Sequence, residues 1–269
     1  MTNVMLVGCG KMGGALLAGW RANKAADMFV VVEPSQEATA QFAGAENVAV
    51  CADASSVPQD VPPDAIVMAV KPQSMAAVAP AYRALAANAV TISIAAGTPI
   101  GFFENTFGHE AAVVRVMPNT PAAIGRGMSV LCANGATSAA QRDLSETLMR
   151  AAGAVDWIED EGLMDAVTAL SGSGPAYVFH LIEAMAAAGE KLGLSPALAA
   201  KAALETVAGA GELARVAAEA PATLRQNVTS PGGTTAAALG VLMADDGLTR
   251  LMTRAMTAAR DRGRELAKG

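Results

Sequence analysis

Apolar residues fall in short runs through the first half of the chain and in long alanine-rich stretches through the second. Runs at 4–7, 28–32, 65–70, 90–94 and 113–117, with less pronounced ones at 129–132 and 154–158, alternate with helical stretches such as 12–21. Strands alternating with helices predict a parallel sheet with helices on both faces. The runs are continuous rather than alternating, as burial on both sides of a sheet requires. From about residue 159 no strand-like run follows. Helical stretches at 165–170, 176–191, 197–216, 234–244 and 248–266 are separated by breakers at Gly172-Ser173-Gly174-Pro175, 193–196, Pro221 and 231–233. The expected class is α/β: a doubly wound sheet over residues 1–158, then an all-α domain over 159–269.

Bulk composition narrows this picture. The 269 residues suffice for one large or two modest domains. Hydrophobic residues make up 52%, enough for a substantial core. Mean hydropathy is +0.34, which raises the question of a membrane. Alanine inflates that figure, and apolar runs such as 184–188 and 197–200 are far too short to span a bilayer. The opening MTNVMLVGCGKMGG has no basic n-region and no A-x-A site. A soluble cytoplasmic protein is therefore expected, its apolar excess buried between subunits of a homo-oligomer. A net charge of −6 argues against a nucleic-acid partner. Cys9, Cys51 and Cys132 are scattered, with neither a disulfide framework nor metal-ligand spacing, so no metal is expected.

Two glycine-bearing turns carry candidate chemistry. Gly8-Cys9-Gly10-Lys11-Met12-Gly13 follows the first strand and opens a helix, the context a dinucleotide fingerprint requires. Gly8 makes the tight turn, Gly10 admits a pyrophosphate, and Gly13 lets helix and strand pack closely. A bare glycine-rich turn is the plainer alternative. Glu33 ends the second strand near the offset of a ribose-binding acid. A carboxylate there accepts from both ribose hydroxyls of NADH and repels the 2′-phosphate of NADPH unless it turns away; otherwise it is an exposed strand-end acid. No arginine follows closely, so NADH is expected to be accepted, with NADPH left open. Ala69, Val70, Lys71 and Pro72 after the fourth strand should border the cofactor. Ala95, Ala96 and Gly97 after the fifth leave room for a nicotinamide. The loop Met117-Pro118-Asn119-Thr120-Pro121 is stiffened by two prolines, as suits a site wall.

The second turn lies in TSPGGTTAAAL, residues 229–239. Pro231 stiffens the entry, and Gly232 and Gly233 permit a bend that a Cβ would obstruct. Thr234 and Thr235 fall in the first helical turn, where backbone N–H groups lack partners. Those donors and the helix dipole suit a carboxylate. A tight turn with a threonine N-cap is the plainer reading.

Together, VGCGKMGGALLAG, AVKPQ, SIAAGTP, RVMPNTPAAIGRGMS, DAVTALSGSGPAYVF and TSPGGTTAAAL resemble the pyrroline-5-carboxylate reductase family, in the family's order and almost end to end. The resemblance implies a reductase that moves hydride from NADH or NADPH to the C=N bond of 1-pyrroline-5-carboxylate, giving L-proline. It implies an N-terminal Rossmann domain and a helical domain that dimerises by interlocking, often in a decamer of five dimers. By that resemblance Gly8, Cys9, Gly10, Lys11, Met12, Gly13, Ala69, Val70, Lys71 and Pro72 hold the cofactor. Ala95, Ala96 and Gly97 lie beside them, and Asn227 reaches the cofactor from the second domain. Ser230, Thr234 and Thr235 hold the substrate carboxylate on the bend made by Gly232 and Gly233. Glu161 and Thr168 match positions near the substrate ring. Three features depart from the family. Many members carry a small hydroxyl residue where Glu33 stands. Met243 replaces a usually polar residue. The stretch 51–63 aligns loosely, with Asp53 in the place of an asparagine near the adenosine.

The implied chemistry needs a gripped carboxylate, an aligned C=N carbon and a protonated ring nitrogen. His109 and His180 lie in no site-like motif and read as surface or satisfied residues. The proton therefore comes with a pre-formed iminium, from water or from Thr168. Glu161 either orients the ring nitrogen or is a solvated helix-start acid. Ser171-Gly172-Ser173-Gly174-Pro175 is either an ordinary glycine break with a serine N-cap or, as the resemblance implies, a close-packed turn that lets the second domain press on the cofactor or on its twin. It is no serine nucleophile, since no base stands near. Two rivals are weighed. A β-hydroxyacid dehydrogenase relative would carry a catalytic lysine within 165–177, and none is there. A non-enzymatic nucleotide sensor would show a broken carboxylate loop, and SPGGTT is intact.

Overall fold

The computed structural model describes residues 1–58 and 61–266. Residues 59 and 60, inside the loosely aligned stretch, lie outside the described residues. Eight strands, β1 (Asn3–Val7), β2 (Met28–Val32), β3 (Val48–Cys51), β4 (Ala65–Met68), β5 (Val90–Ser93), β6 (Val113–Met117), β7 (Gly127–Ala133) and β8 (Gly153–Trp157), form one sheet ordered β3-β2-β1-β4-β5-β6-β7-β8. Helices α1 (Lys11–Ala22), α2 (Gln36–Thr39), α3 (Pro72–Val78), α4 (Arg83–Ala86), α5 (Ile100–Phe107) and α6 (Ala139–Arg150) connect them. Alternate residues of β1 enter opposite cores. Val4 and Leu6 join Leu16, Trp20 and Phe29; Met5 and Val7 join Ile66, Met75 and Phe103. That two-sided burial explains the continuous apolar runs. The indole N–H of Trp20 donates to Leu148 O at 2.7 Å, tying α1 to α6.

Two features differ from the expected sheet. Strand β3 was not marked by its sequence, because it is an edge strand with Val50 open to solvent. Strands β6 and β7 run antiparallel. Residues 118–126 join them by a 3₁₀ turn and Gly125 at φ +68°, too short for the crossover of about a dozen residues a parallel pair needs.

By contacts the chain divides into a sheet unit, residues 1–172 with the end of the chain from Arg260, and a helical unit, Ser173–Ala259. Residues 159–172, read from sequence as the start of the helical domain, group with the sheet. Met164 of α7 (Met164–Val167) is fully buried in the core of the second sheet face. The helical unit holds α8 (Gly174–Lys191), α9 (Pro196–Val216), α10 (Pro221–Asn227), α11 (Thr234–Leu242) and most of α12 (Leu248–Leu266). Pro221 stands at the break after α9 and starts α10 from its first position, where the missing N–H costs nothing. Between α8 and α9 the contact is close: a Cβ added at Gly189 would meet the Ala199 Cβ at 3.3 Å. Among the described residues no helix is long and apolar enough to cross a membrane.

Candidate functional site

Register aligns the strand ends of the sheet unit. Val7 pairs with Val32 and with Met68, and Met68 pairs with Ser93. The residues that follow, Gly8, Glu33, Ala69 and Ile94, therefore share one carboxyl edge. The order reverses between β1 and β4, so this edge is the topological switch point where ligands of open α/β sheets bind.

Each glycine of the first turn has a separate reason. Gly8 has φ +94°, and a Cβ there would stand 3.0 Å from the Ala69 backbone. A Cβ at Gly13 would lie 2.3 Å from Gly8 O, which forces glycine where α1 crosses β1. A Cβ at Gly10 would meet nothing within 4 Å. Gly10 caps α1 without a side-chain hydrogen bond, and the first turn holds no acidic residue. Space, free N–H groups and the positive helix end thus coincide, as a pyrophosphate needs. The residues fit a dinucleotide.

Glu33 is tied into this turn. Its Oε2 accepts from Cys9 N at 2.8 Å and its Oε1 from Ser35 N at 3.0 Å. Cys9 is buried, and burial with the nearby Glu33 charge pushes its thiol up to about 11. Lys71 is extended and exposed at the N-cap of α3, with Pro72 at the first helical position. Ala95 is buried and Ala96 exposed. Gly97 has φ +75° within a turn closed by Thr98 N to Ala95 O. The Asp53 carboxylate is held below its usual range by the Ser55 and Ser56 hydroxyls and their N–H groups.

The segment after β8 carries Glu161 and Thr168. Glu161 Oε1 accepts from Arg115 Nη1 at 2.8 Å and from Ile100 N, at the start of α5, at 2.9 Å. It is thus neither a solvated acid nor free of partners. Arg115 keeps 8% of its side chain exposed and Glu161 29%, so each depends on the other for charge balance. Residues Thr168–Gly172 form a π-helical turn. The Thr168 hydroxyl donates to Met164 O at 2.8 Å, which leaves its oxygen as an acceptor. Asn119 Nδ2 donates to Ser171 O at 3.0 Å while its Oδ1 accepts from Met128 N at 2.8 Å. Sequence reasoning did not single out Arg115 or the Asn119 side chain. A charged residue inside the run VVRVM was a signal that a buried partner must exist; nothing local marked Asn119.

In the helical unit Gly232 has φ +71°, and Gly233 N donates to Ser230 O at 3.0 Å. Gly233, not a threonine, caps α11, with no side-chain hydrogen bond. Thr234 and Thr235 open the helix. Ser230 and Thr234 are exposed and Thr235 is half-buried. Asn227 ends α10, its Nδ2 3.4 Å from Glu219 Oε1. Met243 is exposed, with Arg225 Nη1 3.3 Å from its sulfur. His109 is exposed, and His180 is exposed beside Glu183. The structure therefore gathers the cofactor candidates of the sheet unit on one sheet edge, and the carboxylate candidates in one turn of the helical unit.

Comparison with known proteins bears on both units. A family model described as pyrroline-5-carboxylate reductase dimerisation matches residues 161–266, so the second half carries a dimerisation domain. A model described as NADP oxidoreductase coenzyme F420-dependent matches residues 3–97. The chain is 42% identical over 267 residues to a pyrroline-5-carboxylate reductase of Pseudomonas aeruginosa, covering 98% of this chain and 97% of that one. Its fold is similar to a pyrroline-5-carboxylate reductase structure from Coxiella burnetii, with TM-score 0.91, 34% identity and 98% of each chain covered. A pyrroline carboxylate reductase of Plasmodium falciparum, solved with NADP bound, matches at TM-score 0.81 and 29% identity over 99% of this chain and 98% of that one. With this identity sustained along the whole chain, and with the glycine turn and the SPGGTT turn both formed, the chain belongs to the pyrroline-5-carboxylate reductase family.

Proposed function

We propose that the protein reduces the C=N bond of 1-pyrroline-5-carboxylate to give L-proline, using NADH or NADPH. The observation that carries this reading is the SPGGTT turn. It leaves the N–H groups of Thr234 and Thr235 without helical partners beside two hydroxyls, at the positive end of an uncharged helix. Ser230, Thr234 and Thr235 grip the substrate carboxylate there, on the bend that Gly232 and Gly233 allow. The pyrophosphate rests on the turn from Gly8 to Gly13, bordered by Ala69, Val70, Lys71 and Pro72. Ala95, Ala96 and Gly97 wall the nicotinamide, and Asn227 contributes from α10. When bound, the reduced nicotinamide supplies the hydride.

Thr168 has its hydroxyl hydrogen on Met164 O, so it accepts the N–H of an already protonated imine rather than supplying a proton. Glu161 acts on the substrate ring through the turn it anchors. The Glu33 carboxylate, fixed by Cys9 N and Ser35 N, disfavours a 2′-phosphate, and NADH is the preferred donor. The protein works in the cytoplasm as a homodimer, either alone or as one of five dimers in a decamer.

Oxidation of NADH or NADPH in the presence of 1-pyrroline-5-carboxylate tests the reading; well-folded protein that consumes neither would end it. Thr235→Pro removes one N–H at a position where a helix tolerates proline. It should raise the substrate KM about tenfold and leave the cofactor KM alone. Equal loss on both counts against the carboxylate grip.

A further inference from the structure

The turn that carries Thr168 is wider than an α-helical turn, and a π-helical insertion persists only where its surroundings maintain it. One extra residue rotates everything beyond it by about 100° around the helix axis. Such a turn bonds each carbonyl to the fifth residue along, and side chains add further donors around it. The Thr168 and Ser171 hydroxyls donate to Met164 O and Val167 O. Ser171 O takes its donor from outside the segment, from Asn119 Nδ2 at 3.0 Å. At the other end of the segment, Glu161 is held by Arg115 Nη1. Arg115 lies on β6 and Asn119 in the loop that leaves β6. The stretch 161–172 is therefore suspended at both ends from one strand and its exit loop. Asn119 is itself fixed, since its Oδ1 accepts from Met128 N on β7 at 2.8 Å.

We infer that Asn119 is a positioning residue for the reaction: it holds the π-turn open so that the Thr168 oxygen stays in place as an acceptor for the substrate N–H, with the Arg115–Glu161 pair fixing the other end. The inference rests on the reading of Thr168 as a substrate-facing group. Asn119 touches no reacting atom and acts through Ser171 O.

Asn119→Asp separates its two bonds. The variant keeps an acceptor for Met128 N, so β7 stays tethered, but at neutral pH it sets a carboxylate oxygen against Ser171 O. The expected result is a kcat lower by about tenfold, with cofactor affinity, read by fluorescence titration, within about twofold of wild type. Protonating that carboxylate restores an O–H donor. The deficit should therefore shrink as pH falls toward the carboxylate range, whereas the deficit of Asn119→Ala should not change with pH. In a double-mutant cycle, adding Asn119→Asp to Thr168→Val should cost little beyond Thr168→Val alone. Full activity of Asn119→Asp at neutral pH overturns the proposal. So does a deficit that tracks the melting temperature and ignores pH, or full additivity with a damaging Thr168→Val. If Thr168→Val is harmless, the Thr168 reading fails and the proposal falls with it, whereas a damaging Thr168→Val beside a fully active Asn119→Asp overturns the positioning role alone.

Discussion

In the sheet unit Trp20, Phe29, Met75 and Phe103 lie wholly out of solvent, whereas in the helical unit Phe179, Leu192 and Val241 remain open to it. The sheet unit has a covered layer on each face and completes its own core. The helical unit buries small residues, Ala199 and Ala203, and presents its large ones outward. Helix α11 carries no charged residue at all. A patch of that kind is not left in water by a stable monomer. One half of the molecule is thus a self-sufficient fold, and the other is a half-core that a second copy completes, in line with its match to a dimerisation domain. The two glycine-bearing turns follow the same division. The turn from Gly8 to Gly13 is built into the sheet core, and the SPGGTT turn opens a helix that carries no charge.

The largest expected effect attacks the sheet side alone. Gly13→Ala puts a Cβ 2.3 Å from Gly8 O and should cost about 3 kcal/mol in urea unfolding, with loss of nucleotide binding. Gly10→Ala, with open space around it, should cost under about 1 kcal/mol. Equal damage from the two would show that close packing does not define the turn.

Next comes the helical side. Phe179→Asp combined with Val241→Asp should weaken self-association by roughly 2 kcal/mol, about thirtyfold, in sedimentation equilibrium. Far-ultraviolet circular dichroism should still report a folded sheet unit. Unchanged association would remove the half-core description.

The smallest effect is a pH dependence confined to the sheet unit. The Cys9 thiol ionises at 9.0 in its ordinary state and near 11 when folded. Between those values the unfolded chain loses a proton that the folded chain keeps, so stability falls as pH rises through the window. Below it the contribution is fully present. That window sets a ceiling of about 2.7 kcal/mol, and screening by solvent brings the expected loss to about 1 kcal/mol. Cys9→Ala should flatten the alkaline limb of a stability–pH curve, and a limb of unchanged slope would assign the effect to other groups.

The sequence by itself determined the local pieces. Glycines at 8, 13 and 232 announced backbone that only glycine adopts or close approaches that a Cβ forbids. Continuous apolar runs announced strands buried on two faces, and Pro231 to Thr235 announced an uncapped helix start. Each rests on preferences that act within a few neighbouring residues. Tertiary structure alone decided the partners: Glu33 with Cys9 N across 24 positions, Arg115 with Glu161 across 46, Asn119 with Ser171 across 52. It also decided the reversal at β7 and the grouping of residues 159–172 with the sheet. The reason is physical: a side chain's hydrogen-bond capacity is written in its type, but which atom answers it depends on the register of strands brought together from distant parts of the chain.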